Sequence, residues 1–222
     1  MSITPAPIDP PEIHTKLWEG FSGKVGWDIG ANVGQSLGEM SQRFDTVHTF
    51  EPAEECIEQL RDNARMLGNV TVHEIALSDF DGDIELVDIP DKIDTGQLVS
   101  FEAEGMEYDA HQQGHKVRKV KAFRADSFLA LNVNGSEPVI PDFMKIDVEG
   151  HELKVLTGAV NILREKKPEL LIEIHSHMLG EIIKKYLEGF GYELKTVRHP
   201  HYTALRGLQH MYNVHFWYKC RA

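Results

Sequence analysis

The sequence has few cysteines and no long apolar run. Either feature, if present, would have placed the chain in a specialised class of proteins. It has only two cysteines, Cys56 and Cys220, among 222 residues. A disulfide framework is therefore excluded, and both cysteines are predicted to be free thiols. No apolar run approaches the ~20 residues that a membrane-spanning helix needs. We therefore expect neither a disulfide-rich scaffold nor a membrane protein.

Basic residues are also scarce, since 23 Lys and Arg stand against 35 Asp and Glu, for a formal net charge of −12. A nucleic-acid-binding surface normally needs a basic stripe. The short patch Lys116–Lys121 alternates with apolar residues and is better explained as a strand with one solvated face. We expect no nucleic-acid partner, and the excess of acids mildly favours a cationic ligand. The Pro-rich start, Met1–Pro11, has no secretory-signal pattern, so we expect a cytoplasmic protein.

The stretch Val25–Gly34 organises the rest of the chain. Apolar residues lead into Asp28, a glycine-rich turn follows, and a helix-like run extends to Arg43. This strand, turn and helix form the arrangement with which α/β folds hold a nucleotide-like ligand. Gly30 would allow a positive φ or a close backbone approach, and Gly34 would let the helix pack closely on the sheet.

The turn does not match the two common phosphate-binding motifs. A P-loop would need Gly-Lys-Ser/Thr. A dinucleotide site would need G-x-G-x-x-G, whereas here Gly30 and Gly34 are four apart with Asn32 between them. Asp28 at the turn would repel a phosphate and attract an ammonium group. This combination favours S-adenosylmethionine, which carries an ammonium and a cationic sulfonium.

Glu51 follows the second predicted strand, Thr46–Phe50, at about the separation from the turn at which α/β nucleotide sites place an acid. A carboxylate there can accept hydrogen bonds from both ribose hydroxyls. The alternative is an acid favoured by the dipole of the helix that begins near Pro52. Because Glu51 occurs together with Asp28 and the two glycines, we favour the ribose role.

A second group of polar residues begins in the strand Phe143–Ile146. Along an extended segment, Lys145, Asp147 and Glu149 would point to the same face. The alternative is that Glu149 and Glu152 merely charge the first turn of the following helix. That explanation fits Glu152, but it does not account for Asp147, which ends an apolar strand.

The next strand ends in the same way, with Glu173 and His175. If the two strands are neighbours, four groups converge at the carboxyl edge of the sheet, namely Asp147, Glu149, Glu173 and His175. These oxygen and imidazole donors could also hold Mg²⁺ or a softer divalent ion. We favour a site without metal, because no His pair at helical spacing accompanies them.

Strands and helices alternate along most of the chain, which predicts a doubly wound α/β fold with a mostly parallel sheet. The strands Tyr192–Val197 and Val214–Cys220, joined without a clear helix, predict an antiparallel edge. A hairpin is expected over Ile75–Val87 and one helix over His151–Arg164. We expect a single domain over 1–222, with 1–22 as a lead-in or helix and 90–115 as a lid or loop insertion.

Five segments carry a resemblance to a known family: Asp28–Gly34, Phe50–Pro52, Ala76–Asp79, Met144–Leu153 and Ile172–His175. Together they resemble the FkbM family of S-adenosylmethionine-dependent methyltransferases, over about Val25–His175. The resemblance implies a seven-stranded, Rossmann-like class I fold in which strand seven inserts antiparallel between strands five and six. It also implies methyl transfer to a hydroxyl, often on a sugar or a natural-product scaffold.

By position, the resemblance assigns Asp28, Gly30, Asn32 and Gly34 to the methionine side, Glu51 to the ribose, and Ala76 with its neighbours to the adenine. Ala31 and Pro52 are also predicted to bind the cofactor. We therefore predict an O-methyltransferase that acts on a hydroxyl of a sugar, glycan or natural-product-like small molecule. Asp147 is the first candidate for the base, with Glu149 or His175 as alternates, because crowding of acids raises at least one pKa. The alternatives are a nicotinamide-dependent oxidoreductase and a non-catalytic nucleoside-binding protein.

Overall fold

The computed structural model describes residues 17–88, 97–98, 116–132, 139–198 and 214–220. Its strands are β1 Gly23–Ile29, β2 Phe44–Phe50, β3 Val70–His73, β4 Ala76–Ser78, β5 Gly82–Asp88, β6 Gln97–Leu98, β7 Lys116–Arg124, β8 Phe143–Ile146, β9 Glu169–Ile174, β10 Tyr192–Arg198 and β11 Val214–Cys220. Its α-helices are α1 Leu37–Arg43, α2 Glu54–Leu67, α3 Ala125–Asn132, α4 Glu152–Thr157 and α5 His177–Glu188, and Ile162–Lys166 forms a π-helical turn.

Seven strands form the main sheet in the order β10-β11-β9-β8-β1-β2-β3. The pairs β9-β8, β8-β1, β1-β2 and β2-β3 are parallel, whereas β11 runs antiparallel to both β9 and β10. The central strands β8 and β1 are almost wholly buried, as expected for a parallel sheet covered on both faces. The predicted mostly parallel sheet with an antiparallel edge is confirmed, as is the inserted antiparallel strand.

A second sheet has the order β4-β7-β5-β6, so β7 lies between the two strands that we expected to form a hairpin. The expected hairpin over Ile75–Val87 was therefore wrong. Strand β5 instead pairs with β7 along its whole length, and the pairing sets Asp83 opposite Lys121 and Glu85 opposite Lys119. Opposite charges across a strand pair stabilise it. The basic patch of the sequence is thus a strand facing acids.

The helices follow the apolar spacing of the sequence, with one interruption. Helix α2 buries Ile57, Leu60 and Ala64 on one face and ends at Gly68, whose φ is 79°. The single helix expected over His151–Arg164 is broken instead at Gly158. An added Cβ at Gly158 would lie 1.9 Å from the Ser78 backbone oxygen, so the chain there packs directly against β4.

The core beneath the carboxyl ends of the strands is aromatic. Trp27 of β1 packs on Phe50 of β2 and on Phe128 of α3, with ring centroids 5.0 and 5.5 Å away. Its indole nitrogen donates to the Val139 carbonyl at 2.9 Å, so this buried polar atom is satisfied. This packing holds the ends of β1 and β2 in place. Among the described residues, no helix has both the length and the apolarity to span a bilayer.

Candidate active site

A cavity lies where the strand ends of β1, β2, β8 and β9 meet. Eight of the residues predicted from the sequence line it: Gly30, Asn32, Glu51, Pro52, Ala76, Asp147, Glu149 and Glu173. Four predicted residues, Asp28, Ala31, Gly34 and His175, do not line it. Such a crevice at the carboxyl ends of parallel strands is where doubly wound folds bind ligands.

The glycine turn, residues 30–34, forms one wall of the cavity. Gly30 has φ 79° and donates its backbone N–H to the Phe50 carbonyl at 3.0 Å. A Cβ on Gly30 would sit 1.8 Å from the backbone oxygen of Asp147. The turn therefore requires glycine at this position, both for its left-handed backbone and for the close approach of the chain that follows β8.

Glu51 connects the glycine turn to the start of α2. Its carboxylate accepts hydrogen bonds from the backbone N–H of Asn32 and of Ala53, each at 2.8 Å. The residue is only 7% exposed, and burial raises the pKa of its carboxyl against the lowering effect of these two hydrogen bonds. Since each carboxylate oxygen has two lone pairs, Glu51 keeps acceptor capacity toward the cavity.

Asp28 does not face the cavity, contrary to the expectation from the sequence. It is fully buried, and its Oδ1 lies 3.2 Å from Nζ of Lys145. The reason is strand register, because Lys145 of β8 is the direct neighbour of Asp28 in the parallel pair. An attraction between Asp28 and a ligand ammonium is thus opposed by a cation already in place.

Lys145 contacts a second carboxylate, since its Nζ lies 3.3 Å from Oδ2 of Asp147. Burial lowers the pKa of Lys145, but the carboxylates of Asp28 and Asp147 outweigh it and raise that pKa above its ordinary value. The ammonium is therefore charged at neutral pH. Sequence reasoning placed Lys145 on the face of Asp147 but did not include it in the site.

Three carboxylates, the acid cluster of Asp147, Glu149 and Glu173, line the far end of the cavity. Strand β8 ends at Ile146, and the chain then turns sharply, with φ 54° at Glu149 and 103° at Gly150. From the sequence, we expected Asp147 and Glu149 to share a face of an extended segment. The chain is not extended there, so this explanation of their convergence does not hold. The turn itself brings Glu149 back toward β9.

His175 lies behind the acid cluster and contacts all of its members. Its Nε2 is 3.6 Å from Asp147, 3.7 Å from Glu149 and 3.9 Å from Glu173. Its Nδ1 is 2.8 Å from Oε1 of Glu152. The four side chains predicted to converge are therefore together.

The protonation state of His175 follows from these neighbours. Burial lowers the pKa of the imidazole, but Glu152, Asp147 and Glu149 outweigh it and raise the pKa to about 9. At neutral pH the ring is an imidazolium, which donates from both nitrogens. At neutral pH His175 is therefore less suited than Asp147 or Glu149 to act as the base, because a base needs a free lone pair.

Glu152 has a larger role than the helix-dipole acid that its sequence position indicated. It is fully buried, and its Oε1 accepts from the backbone N–H of Gly150 at 3.0 Å and from that of Val148 at 3.3 Å, besides facing His175. One side chain therefore fixes both the turn after β8 and the imidazole. Acids are common in the first turns of helices, so the position of Glu152 in the sequence does not predict these contacts.

Three of the four converging side chains are close enough to one another to hold a metal ion. One ligand atom from each of Asp147, Glu149 and His175 lies within 4.8 Å of the other two, whereas Glu173 does not join them at that distance. A divalent ion there would have to displace the proton that His175 carries at neutral pH, and this competition lowers the affinity of the site for metal.

The remaining lining residues, which sequence reasoning missed, are mostly neighbours in sequence of predicted ones: Ile29, Gln35, Phe50, Cys56, Ile75, Leu77 and Val148. Most are apolar, and two of them, Ile29 and Phe50, end strands, so the signal available was adjacency to Gly30, Glu51, Ala76 and Asp147. They give the cavity apolar walls between its acidic ends. No lysine or arginine lines this cavity within the described part of the chain.

A family model for the methyltransferase FkbM domain matches residues 28–194. The chain belongs to this family. The matched segment contains the glycine turn, Glu51, the acid cluster and His175. The family predicted from the sequence motifs is thus confirmed.

Among similar proteins, the chain is 29% identical over 176 residues to the hexuronic acid methyltransferase AglP of Haloferax volcanii. The match covers 79% of this chain and 66% of that relative, so the chain spans slightly less than two thirds of its length.

Solved structures show the same fold. A methyltransferase FkbM from Methylobacillus flagellatus superposes with a TM-score of 0.57 at 20% identity, over 89% of this chain and 43% of that one. Fibrillarin from Aeropyrum pernix, solved with S-adenosyl-L-methionine bound, superposes with a TM-score of 0.52 at 14% identity, over 93% of this chain and 73% of its own. These likenesses agree with the class I methyltransferase fold predicted for the FkbM domain.

Proposed function

We propose that this FkbM domain transfers a methyl group from S-adenosylmethionine to a hydroxyl of a sugar, glycan or natural-product-like acceptor. The observation that carries the proposal is the charge of the cavity. Glu51 at one end and the acid cluster at the other line it, with no basic side chain among the described lining residues. A sulfonium cofactor with an ammonium fits such a cavity, whereas a diphosphate would be repelled.

The two ends of the cavity suit different parts of the molecules that we place in it. Glu51 would accept from the ribose hydroxyls, and the apolar side chains of Phe50, Ile75 and Leu77 beside Ala76 would enclose the adenine. When bound, S-adenosylmethionine supplies a methyl group on a positively charged sulfur. Gly30, Asn32 and Pro52 would complete the contacts near the ribose and the methionine part.

Asp147 is the group that we assign as the base. It is partly exposed and lines the cavity. Asp147 would accept the proton that the acceptor hydroxyl loses when its oxygen takes the methyl group. Holding the reacting atoms about 3–3.5 Å apart supplies much of the rate, and the base supplies a further part. Glu149 is the alternate base, and Glu173 completes the negative lining.

The relative that acts on a hexuronic acid supports a sugar as the acceptor for this chain as well. The acid cluster supports transfer to a hydroxyl, since carboxylates can take its proton. Repulsion between the same carboxylates and phosphates argues against a nucleic acid as the acceptor.

Calorimetric titration tests the cofactor assignment. S-adenosylmethionine should release or absorb heat and raise the melting temperature of the protein, and NAD should do neither. Should saturating S-adenosylmethionine leave both quantities unchanged, the proposal fails. An oxidoreductase would instead bind NAD, and a non-catalytic binding protein would bind S-adenosylmethionine without turnover.

Transfer of a labelled methyl group to a panel of neutral hexoses, hexuronic acids and their glycosides tests the acceptor. We expect a methyl ether, which survives mild alkali. A product that mild alkali hydrolyses would be a methyl ester on a carboxyl group, and it would contradict the assignment to a hydroxyl.

A further inference from the structure

Lys145 occupies an unusual position for a lysine, in the middle of a buried parallel sheet. It lies in β8, with Asp28 of β1 as its register partner on one side and Leu171 of β9 on the other. The residue is only 6% exposed. A lysine at such a site must be paired, because an isolated buried ammonium is costly.

Its two ion pairs join two parts of the site. Nζ lies 3.2 Å from Asp28, two residues before the glycine turn, and 3.3 Å from Asp147, which lines the acidic end of the cavity. The backbone makes the same connection, since the N–H of Asp147 donates to the Ile29 carbonyl at 2.9 Å. One ammonium therefore links the element that shapes the cofactor side to the side chain that we assign as the base.

We infer that Lys145 is a positioning residue for methyl transfer, which fixes the Asp147 carboxylate relative to the glycine turn. The inference rests on the function proposed above. Lys145 contacts Oδ2 of Asp147 from behind, and His175 faces Oδ1. With both oxygens held by cations, the carboxylate has one orientation toward the cavity. A misplacement of about 1 Å at such a group can cost a hundredfold in rate.

A purely structural role is the competing explanation, in which Lys145 only neutralises the buried Asp28. The single change Lys145→Met does not separate the two, because it leaves Asp28 buried without its cation and is expected to destabilise the fold. The double change Asp28→Asn with Lys145→Met removes both buried charges. The single change Asp28→Asn is the matched reference, because the two proteins then differ only at Lys145.

The test compares these two variants for folding, cofactor affinity and turnover. We expect both to melt cooperatively and to bind S-adenosylmethionine with similar dissociation constants in calorimetry. The kcat of the double variant at saturating substrates should be about a hundredfold below that of Asp28→Asn. Equal kcat values would show that Lys145 serves Asp28 alone, and would overturn the inference.

A second measurement does not depend on turnover. With aspartate labelled at its side-chain carboxyl carbon, the Asp147 resonance can be assigned from its loss in Asp147→Asn. We expect it to shift between Asp28→Asn and the double variant at pH 7, and an unchanged resonance would overturn the inference. A wild-type protein that shows no methyl transfer, while this resonance still shifts, would instead reject the proposed function and leave the contact established.

Discussion

Individual side chains decide which group can act as the base. His175 is protonated at neutral pH, and the ammonium of Lys145 forms ion pairs with Asp147 and Asp28. Asp147, Glu149 and Glu173 line the cavity, whereas Lys145 and His175 do not. A carboxylate is therefore better placed than His175 to accept a proton, and Asp147 is the one that we propose.

The first prediction concerns Asp147→Asn, an isosteric change that removes the negative charge. The kcat of methyl transfer should fall by about 10²–10⁴-fold, the range that a positioned base contributes. Affinity for S-adenosylmethionine in calorimetry should stay nearly the same. Glu165→Gln, at an exposed acid outside the cavity, is the matched control. Turnover of Asp147→Asn at the wild-type rate would rule out Asp147 as the base.

The second prediction concerns metal ions. Dialysis against EDTA should leave methyl transfer unchanged at pH 7, because a metal at His175 would have to compete with the proton that the imidazole carries. The measurement is turnover before and after dialysis, with Mg²⁺ and Zn²⁺ added back separately. Loss of activity that either ion restores would establish a metal site at Asp147, Glu149 and His175.

At the scale of elements, the glycine turn and the loop after β8 act as one unit because their backbones touch. Gly30→Ala would place a Cβ 1.8 Å from the Asp147 backbone oxygen at a residue whose φ is 79°. We expect the free energy of unfolding to fall by about 3 kcal/mol and S-adenosylmethionine affinity to fall with it. Urea denaturation and calorimetry measure the two effects.

Gly38→Ala is the matched control for that experiment. Gly38 lies in α1, is exposed, and has nothing within 4 Å of an added Cβ. Because alanine favours a helix, this change should raise the free energy of unfolding by up to about 1 kcal/mol. A similar loss of stability in both variants would mean that the contact with Asp147 is not responsible.

The sequence predicts those elements whose cause is local. Apolar strand runs and helix spacing locate β1, β2, α2 and β9, and strand ends identify the acid cluster. Contacts between distant segments could not be predicted in this way. The sequence does not reveal that β7 would separate β4 from β5, or that Gly158 would pack on Ser78 and end α4 early.

The site, too, could be predicted only in part from the sequence. Its carboxylates follow from their positions at strand ends, but their partners depend on register and on packing. Lys145 faces Asp28 only because β8 pairs in parallel with β1 in one register. Glu152 reaches His175 across 23 positions of the sequence.

At the scale of the whole molecule, His175 links stability to pH. Its pKa is about 9 in the folded protein, against 6.5 for an ordinary histidine. A group whose pKa is raised by folding stabilises the folded state fully below its unfolded pKa and loses that contribution as the pH rises. The contribution of His175 should therefore be complete at pH 6 and lost progressively between about 6.5 and 9.

Urea unfolding of the wild type and of His175→Gln at pH 6, 7.5 and 9 measures this contribution. The difference in unfolding free energy should shrink as the pH rises. The half-buried His73 and the buried His151, whose pKa values are both lowered to about 4 mainly by desolvation, are present in both proteins and cancel from the difference. A difference that grows toward pH 9 would contradict the assigned protonation state.

The antiparallel insertion of β11 also fixes an order of assembly during synthesis on the ribosome. Among the strands that the structure describes, β10 pairs only with β11, and β11 is made after it. Until β11 has left the exit tunnel, one edge of β9 has no paired strand, and β10 has no strand to pair with. The nascent chain therefore exposes an open, apolar strand edge on β9 until β11 emerges, and such an edge is prone to aggregation and suited to chaperone binding.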